Sequence, residues 1–130
     1  GQPLSLEQLA YIHQKKTGAM ICGAVLSAAV LAGATKEQQQ CLQIYGNSVG
    51  LAFQIADDIL DVIGISKELG KSVGSDEKNG KVTYPSLIGL DASYARGEKA
   101  IAEAISALSS WGKEGDILRQ IAQFCLQRRK

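Results

Sequence analysis

Three aspartates, Asp57, Asp58 and Asp61, fall within five residues of one another in the run Gly50-Leu51-Ala52-Phe53-Gln54-Ile55-Ala56-Asp57-Asp58-Ile59-Leu60-Asp61. The rest of that run is apolar and reads as helix. Asp57 and Asp61 are four apart and share a helix face, and Asp58 sits one step round. Two carboxylates ~6 Å apart repel by about 3 kcal/mol at an effective dielectric near 20. If the helix ends near Gly64, the acids also sit at its negative end, which costs a further ~0.3–1 kcal/mol each. A divalent cation whose shell is completed by phosphate oxygens would relieve that repulsion, and magnesium usually takes only one or two protein carboxylates. The bland alternative is a solvated acidic face, and a DDxxD pattern alone does not separate the two.

The other residues that could do chemistry are cationic or uncharged polar. Lys15-Lys16-Thr17-Gly18 interrupts a small-residue helix, with Lys16 and Thr17 on or beside the apolar stripe. Taken singly, Lys16 is a snorkelling side chain and Thr17 a packed β-branched one. The polar connection from Gly64 to Tyr84 carries Lys67, Lys71, Lys78 and Lys81. Connections of that length are usually functional or disordered. Lys71 follows Gly70 and Lys81 follows Gly80, so each extends from a permissive backbone towards any anion held at the aspartates. The Asp76-Glu77 stretch lacks the alternating ligands of a calcium loop. His13 is the single histidine and has no triad or metal set in sequence, so it reads as a packed or half-exposed helix residue.

The elements that must position these residues are all helical. Ser5 with Gln8 forms a capping-box pattern at the start of a helix expected over about 5–35. A second is expected over about 36–64, a third over about 91–110 and a fourth over about 116–128, with 65–84 as a site loop. Pro85 suits the first turn of a short helix, and Asp116 is placed to cap the last one. That last helix is expected to bury Leu118, Ile121, Ala122, Cys125 and Phe124. Gly46 and Gly50 cost ~1 kcal/mol each in helix propensity, which suits close helix contacts. No strand pattern or repeat is evident, and the fold class expected is an all-α bundle.

Composition narrows the function classes. The 130 residues carry 14 Lys and Arg against 13 Asp and Glu, a net charge of +1, so there is no footprint for nucleic acid. Three cysteines without CxxC spacing, Cys22, Cys41 and Cys125, argue against zinc or a disulfide framework and fit a reducing, cytoplasmic setting. Thr17 to Thr35 is a 19-residue stretch without charge, but its Ala, Gly and Ser content is poor for membrane insertion. A helix buried on all sides of a bundle is the better expectation for it. The opening Gly1-Gln2-Pro3 reads as a loop fragment of something longer.

Taken in chain order, the elements are Lys16-Thr17-Gly18, then Phe53-Gln54 before Asp57-Asp58-x-x-Asp61, then Leu69-Gly70-Lys71, then Lys81-Val-Thr-Tyr84-Pro85. This series closely resembles the trans-isoprenyl diphosphate synthases. Its wording, with Ile12-His13 ahead of Lys-Thr-Gly and a basic tail, looks most like the bacterial farnesyl diphosphate synthases. The resemblance implies an all-α isoprenoid synthase bundle and head-to-tail prenyl transfer from an allylic diphosphate to isopentenyl diphosphate. It implies magnesium at Asp57, Asp58 and Asp61, and diphosphate contacts from Lys16, Lys71 and Lys81. It further implies that Thr17 and Gln54 face the developing cation and that Phe53 lies beside the isopentenyl unit. The tail Arg128-Arg129-Lys130 would fold over the entrance, and the enzyme would be a homodimer. The family's first aspartate-rich motif is absent from these residues, so they would hold half of the metal site. An upstream part of the same protein is the expected partner, and the half-cavity alone should have apolar walls and little activity. Alternatives are a geranylgeranyl diphosphate synthase or a non-catalytic regulatory subunit. The Gly-Lys and Lys-x-Thr-Tyr-Pro elements speak against a terpene cyclase or a squalene-type synthase.

Overall fold

The computed structural model describes residues 4–69 and 82–127, and no side-chain surroundings for 65–69. Lys71, Lys81, Arg128 and Lys130 lie outside the described residues. In chain order the described elements are α1 (Leu6–His13), a π-helical turn (Gln14–Gly18), α2 (Ala19–Leu31), α3 (Lys36–Leu69), α4 (Tyr84–Ile88), α5 (Leu90–Ala107), a 3-10 turn (Lys113–Gly115) and α6 (Asp116–Gln127). There is no strand among the described residues, and the chain is all-α.

Local sequence fixes the helix ends. The Ser5 side chain accepts from the Gln8 N–H at 3.2 Å, and Gln8 returns the bond from the Ser5 N–H at 2.9 Å. Thr35 and Gln38 repeat this reciprocal cap at the start of α3, and Thr83 and Ser86 repeat it at α4. Two donors that a bare helix start would leave unpaired are satisfied in each case. At the end of α2, Gly33 takes φ 73°, which lets its own N–H reach Val30 O and the Ala34 N–H reach Ala29 O. An L side chain would be strained in that backbone conformation.

The long helix α3 is the spine, packed chiefly between α2 and α5. Its approach to the first helical strip is very close. A Cβ on Gly50 would stand 2.7 Å from Gly18 Cα, and one on Gly46 would stand 2.9 Å from Cys22 Cα. Glycine at these two positions, one turn apart, lets the backbones meet. The main core lies along the first half of α3, where Leu42, Tyr45, Val49 and Ala52 meet Ala100, Ala104 and Leu108 of α5 and Ala122 and Cys125 of α6. A smaller cluster of Leu9, Ile55, Ile59 and Tyr84 fills the space near the aspartates.

Four expectations from the sequence are corrected. The second helix does not end near Gly64 but runs to Leu69, so the aspartates are interior and the penalty of a negative helix end does not apply at Asp57. Gly64 is tolerated because one glycine costs only ~1 kcal/mol in a helix already propagating. The first helix is not continuous over 5–35: a π turn interrupts it and it stops at Leu31. The Thr17–Thr35 stretch is not buried all round, since Met20 is 75% and Leu31 89% exposed. On α6, Ala122 and Cys125 are buried, but Ile121 and Phe124 face outward together with Ile117. All three cysteines are free thiols.

Candidate functional site

Lys16, Thr17, Gln54, Asp57 and Asp58 line one cleft of about 470 Å³, together with Leu4, Leu9, Ile12, His13 and Val82. Two helical strips build it. The π turn carries Lys16 and Thr17, and the glycine contact seats that turn directly on α3, one turn before Gln54 and two before Asp57. Lys15 and Lys16 diverge as neighbours on a helix must. The Lys15 ammonium sits 5.5 Å from the centre of the Tyr11 ring, while Lys16 lines the cleft.

The two adjacent aspartates occupy different surroundings. Asp57 is half-buried and lines the cleft. Asp58 also borders the cleft but is only 3% exposed, and its Oδ2 accepts from the backbone N–H of Tyr84 at 3.1 Å. Asp61 is half-buried one helical turn beyond Asp57, outside the residues that line the cleft. Phe53 packs against the main core and does not line the cleft.

Sequence reasoning missed the part played by His13 and Tyr84. His13 lines the cleft three residues before Lys16, a spacing that puts both on one helix face. Its ring meets that of Tyr84 with centroids 5.6 Å apart. Tyr84 is wholly buried, and its hydroxyl finds no hydrogen-bond partner among the described residues. Burial pushes the Tyr84 phenol up from its ordinary value, partly offset by the Arg96 guanidinium, which lies over the ring at 5.8 Å. The only sequence signal for this contact was the position of Tyr84 just before Pro85, which marks a helix start but names no partner.

Chemically, the cleft is lined by the half-buried Asp57 carboxylate, the deeply buried Asp58, the Lys16 ammonium, His13, Thr17 and Gln54, with apolar walls from Leu4, Leu9, Ile12 and Val82. A hard cation needs oxygen ligands, and magnesium keeps waters and phosphate oxygens for most of its shell. Asp57 fits such a cation on those terms. Among the described residues, no group of three or more His, Cys, Asp or Glu side chains is gathered as a wholly protein-held metal site would need. No helix among the described residues is long and apolar enough to cross a membrane.

The polyprenyl synthetase family model matches residues 2–123. The chain belongs to the polyprenyl synthetase family. It is 41% identical over 127 residues to a farnesyl diphosphate synthase of Micrococcus luteus, covering 98% of this chain and 44% of that protein. It is 42% identical over 124 residues to a geranylgeranyl diphosphate synthase of Cyanophora paradoxa, covering 95% of this chain and 41% of that protein. A geranyltransferase from Helicobacter pylori, solved with magnesium and isoprenyl diphosphate, superposes with a TM-score of 0.71 at 29% identity. That match covers 98% of this polyprenyl synthetase chain and 42% of the solved one. The chain thus spans about two fifths of the length of the relatives it matches.

Proposed function

We propose that these residues form the allylic-diphosphate half of a magnesium-dependent prenyltransferase that makes farnesyl diphosphate. The observation that carries the reading is the convergence of Lys16, Thr17, Gln54 and Asp57 on one cleft. In the reaction, the C–O bond of an allylic diphosphate breaks and pyrophosphate leaves with the electron pair. The double bond of isopentenyl diphosphate attacks the resulting allylic cation, and a proton is lost as the new double bond forms. Magnesium, when bound, would neutralise the departing phosphate charge. Asp57 and Asp61, on one face of α3, are the carboxylates we assign to it, with Asp58 beside them.

Lys16 binds phosphate oxygens and adds positive charge where negative charge develops. Thr17 and Gln54 turn oxygen dipoles towards the cation without supplying a base that would quench it. The apolar walls keep water from the cation, which would otherwise be captured as an alcohol. We further assign Lys71 and Lys81 to the diphosphate, Phe53 to the isopentenyl unit, and Arg128 and Lys130 to the closing of the entrance. The remaining half of the site, including the family's first aspartate-rich motif, would come from sequence outside these 130 residues, in a cytoplasmic homodimer.

The test has two steps. Denaturing and native mass of the purified material establish whether a longer or companion polypeptide is present. Prenyl transfer with magnesium is then assayed on that whole species, and the product is identified by chromatography against farnesyl and geranylgeranyl standards. Asp57→Asn should reduce turnover by about 10²–10³-fold, in line with loss of one preorganised charge-stabilising group, with the folding midpoint unchanged. Full turnover in Asp57→Asn would sink the reading.

A further inference from the structure

Adjacent acids one step apart on a helix cannot serve one ligand equally, because each step turns the side chain by about 100°. Asp57 and Asp58 show the consequence. Asp57 is half-buried at the cleft, whereas Asp58 is 3% exposed. A carboxylate so buried needs hydrogen-bond donors to remain. The structure supplies one in the Tyr84 N–H at 3.1 Å. That N–H belongs to the first turn of α4, where donors have no partner within the helix. The bond is charge-assisted.

The segment held in this way forms one side of the cleft. Val82, two residues before Tyr84, lines it. The Tyr84 ring backs His13, which lines it from the opposite strip. Thr83 fixes the backbone between them by capping α4. A single carboxylate therefore joins the floor of the cleft, on α3, to two parts of its wall. Magnesium sheds its waters reluctantly and needs a carboxylate that solvent can reach, which describes half-buried Asp57 better than Asp58 at 3% exposure.

Building on the prenyltransferase reading, we propose that Asp58 is a positioning residue. It clamps the start of α4 to α3 and sets the cleft wall, and it is not a ligand of the magnesium that Asp57 holds. The DDxxD pattern then divides its labour: one aspartate faces the substrate side and its neighbour faces the protein.

The experiment compares Asp58→Asn, Asp58→Ala and Asp57→Asn in the whole synthase. Two quantities are read: the thermal midpoint without magnesium, and the magnesium concentration for half-maximal binding of a non-hydrolysable allylic diphosphate analogue by calorimetry. Asn keeps an amide oxygen for the Tyr84 N–H but loses the charge, so Asp58→Asn should lower the thermal midpoint less than Asp58→Ala does and leave the magnesium requirement near wild type. Asp58→Ala should lower the thermal midpoint by several degrees and weaken analogue binding about tenfold even at saturating magnesium, because the wall shifts. Asp57→Asn should raise the magnesium requirement about tenfold or more at an unchanged thermal midpoint. The proposal is overturned if Asp58→Asn raises the magnesium requirement as far as Asp57→Asn does. It also fails if Asp58→Ala keeps the wild-type thermal midpoint. If Asp57→Asn leaves the magnesium requirement alone, the prenyltransferase reading fails instead, and the two Asp58 thermal midpoints still decide the clamp.

Discussion

The two halves of α3 solve opposite problems with one continuous helix. From Leu42 to Ala52 it presents small or apolar groups to α2, α5 and α6, and its one buried phenol is fully served: the Tyr45 hydroxyl donates to Leu118 O at 2.8 Å. From Gln54 to Asp61 the same helix carries polar and ionised side chains along the cleft and beside it. The first half packs against α2, α5 and α6, and its buried phenol pairs within the protein. The second half leaves Asp57 to the cleft and spends Asp58 on a backbone N–H. A rigid first half is what allows the second to hold charge in a fixed place. Stability and site chemistry are thus adjacent on one element but separable by mutation.

The strongest way to break that separation is at the boundary. Gly50 lies between the halves, against Gly18 of the turn that carries Lys16 and Thr17. Gly50→Val places branched carbon where a Cβ alone would stand 2.7 Å from backbone. We expect about 3 kcal/mol of destabilisation from overpacking, read by chemical denaturation. Diphosphate affinity should fall in the same variant because the π turn is pushed away from Gln54. Weakened affinity with full stability would mean that the turn can move without disturbing the helix pair.

A smaller effect sharpens the contrast from the far end of the molecule. Arg119 donates to Leu108 O at 2.7 Å, to Gly112 O at 2.9 Å and to Trp111 O, and pairs with Asp116 at 2.7 Å. This guanidinium closes the turn between α5 and α6. Arg119→Ala removes its bonds to all three carbonyls, of which Leu108 O and Gly112 O keep backbone donors from Trp111 and Gly115, and should cost about 2 kcal/mol. Arg119→Lys should recover little, because an ammonium lacks the planar fork. Neither variant should alter the magnesium requirement, since the residue is remote from the cleft.

How much of this was legible in the sequence depended on whether the cause was local. Ser5 with Gln8, Gly33 and Pro85 marked their helix ends because caps and left-handed turns act over three or four residues. Asp116, expected as the cap of the last helix, is instead its first helical residue, with φ −63° and ψ −38° and its carboxylate on Arg119. Gly46 and Gly50 were rightly expected at a close contact, because a helix has little other reason to carry both. The π turn at Gln14–Gly18 was not legible, since the extra residue is accommodated by packing on α3 and not by any local preference. The stop expected near Gly64 overweighted one glycine against a long propagating helix. Ile121 and Phe124 were expected inside because periodicity marks an apolar face without saying whether a neighbour covers it. In the site, Lys16, Thr17, Gln54 and Asp57 were readable as a set only because several motifs stood in order. The tie from Asp58 to Tyr84 spans 26 positions and depends on tertiary packing, so no spacing rule could announce it.

The mildest prediction tests the first half of α3 by itself. Tyr45→Phe removes one hydroxyl from a site that is 2% exposed and leaves Leu118 O without that donor. The loss should be about 1 kcal/mol near neutral pH, with diphosphate affinity unchanged. Its pH dependence is more telling. Burial, with a smaller contribution from Cys125, raises the Tyr45 phenol from 10.0 to about 12. The unfolded chain then gives up the proton at lower pH than the folded one. Tyr45 therefore contributes stability that is full below pH ~10 and lost as pH rises towards ~12. Denaturation midpoints measured across that window should fall with pH in the wild type and fall less in Tyr45→Phe. Some slope should remain, because burial raises Tyr84 in the same direction. Equal slopes in the two proteins would mean that Tyr45 ionises without opening the core, and the first half of α3 would then be as permissive as the second.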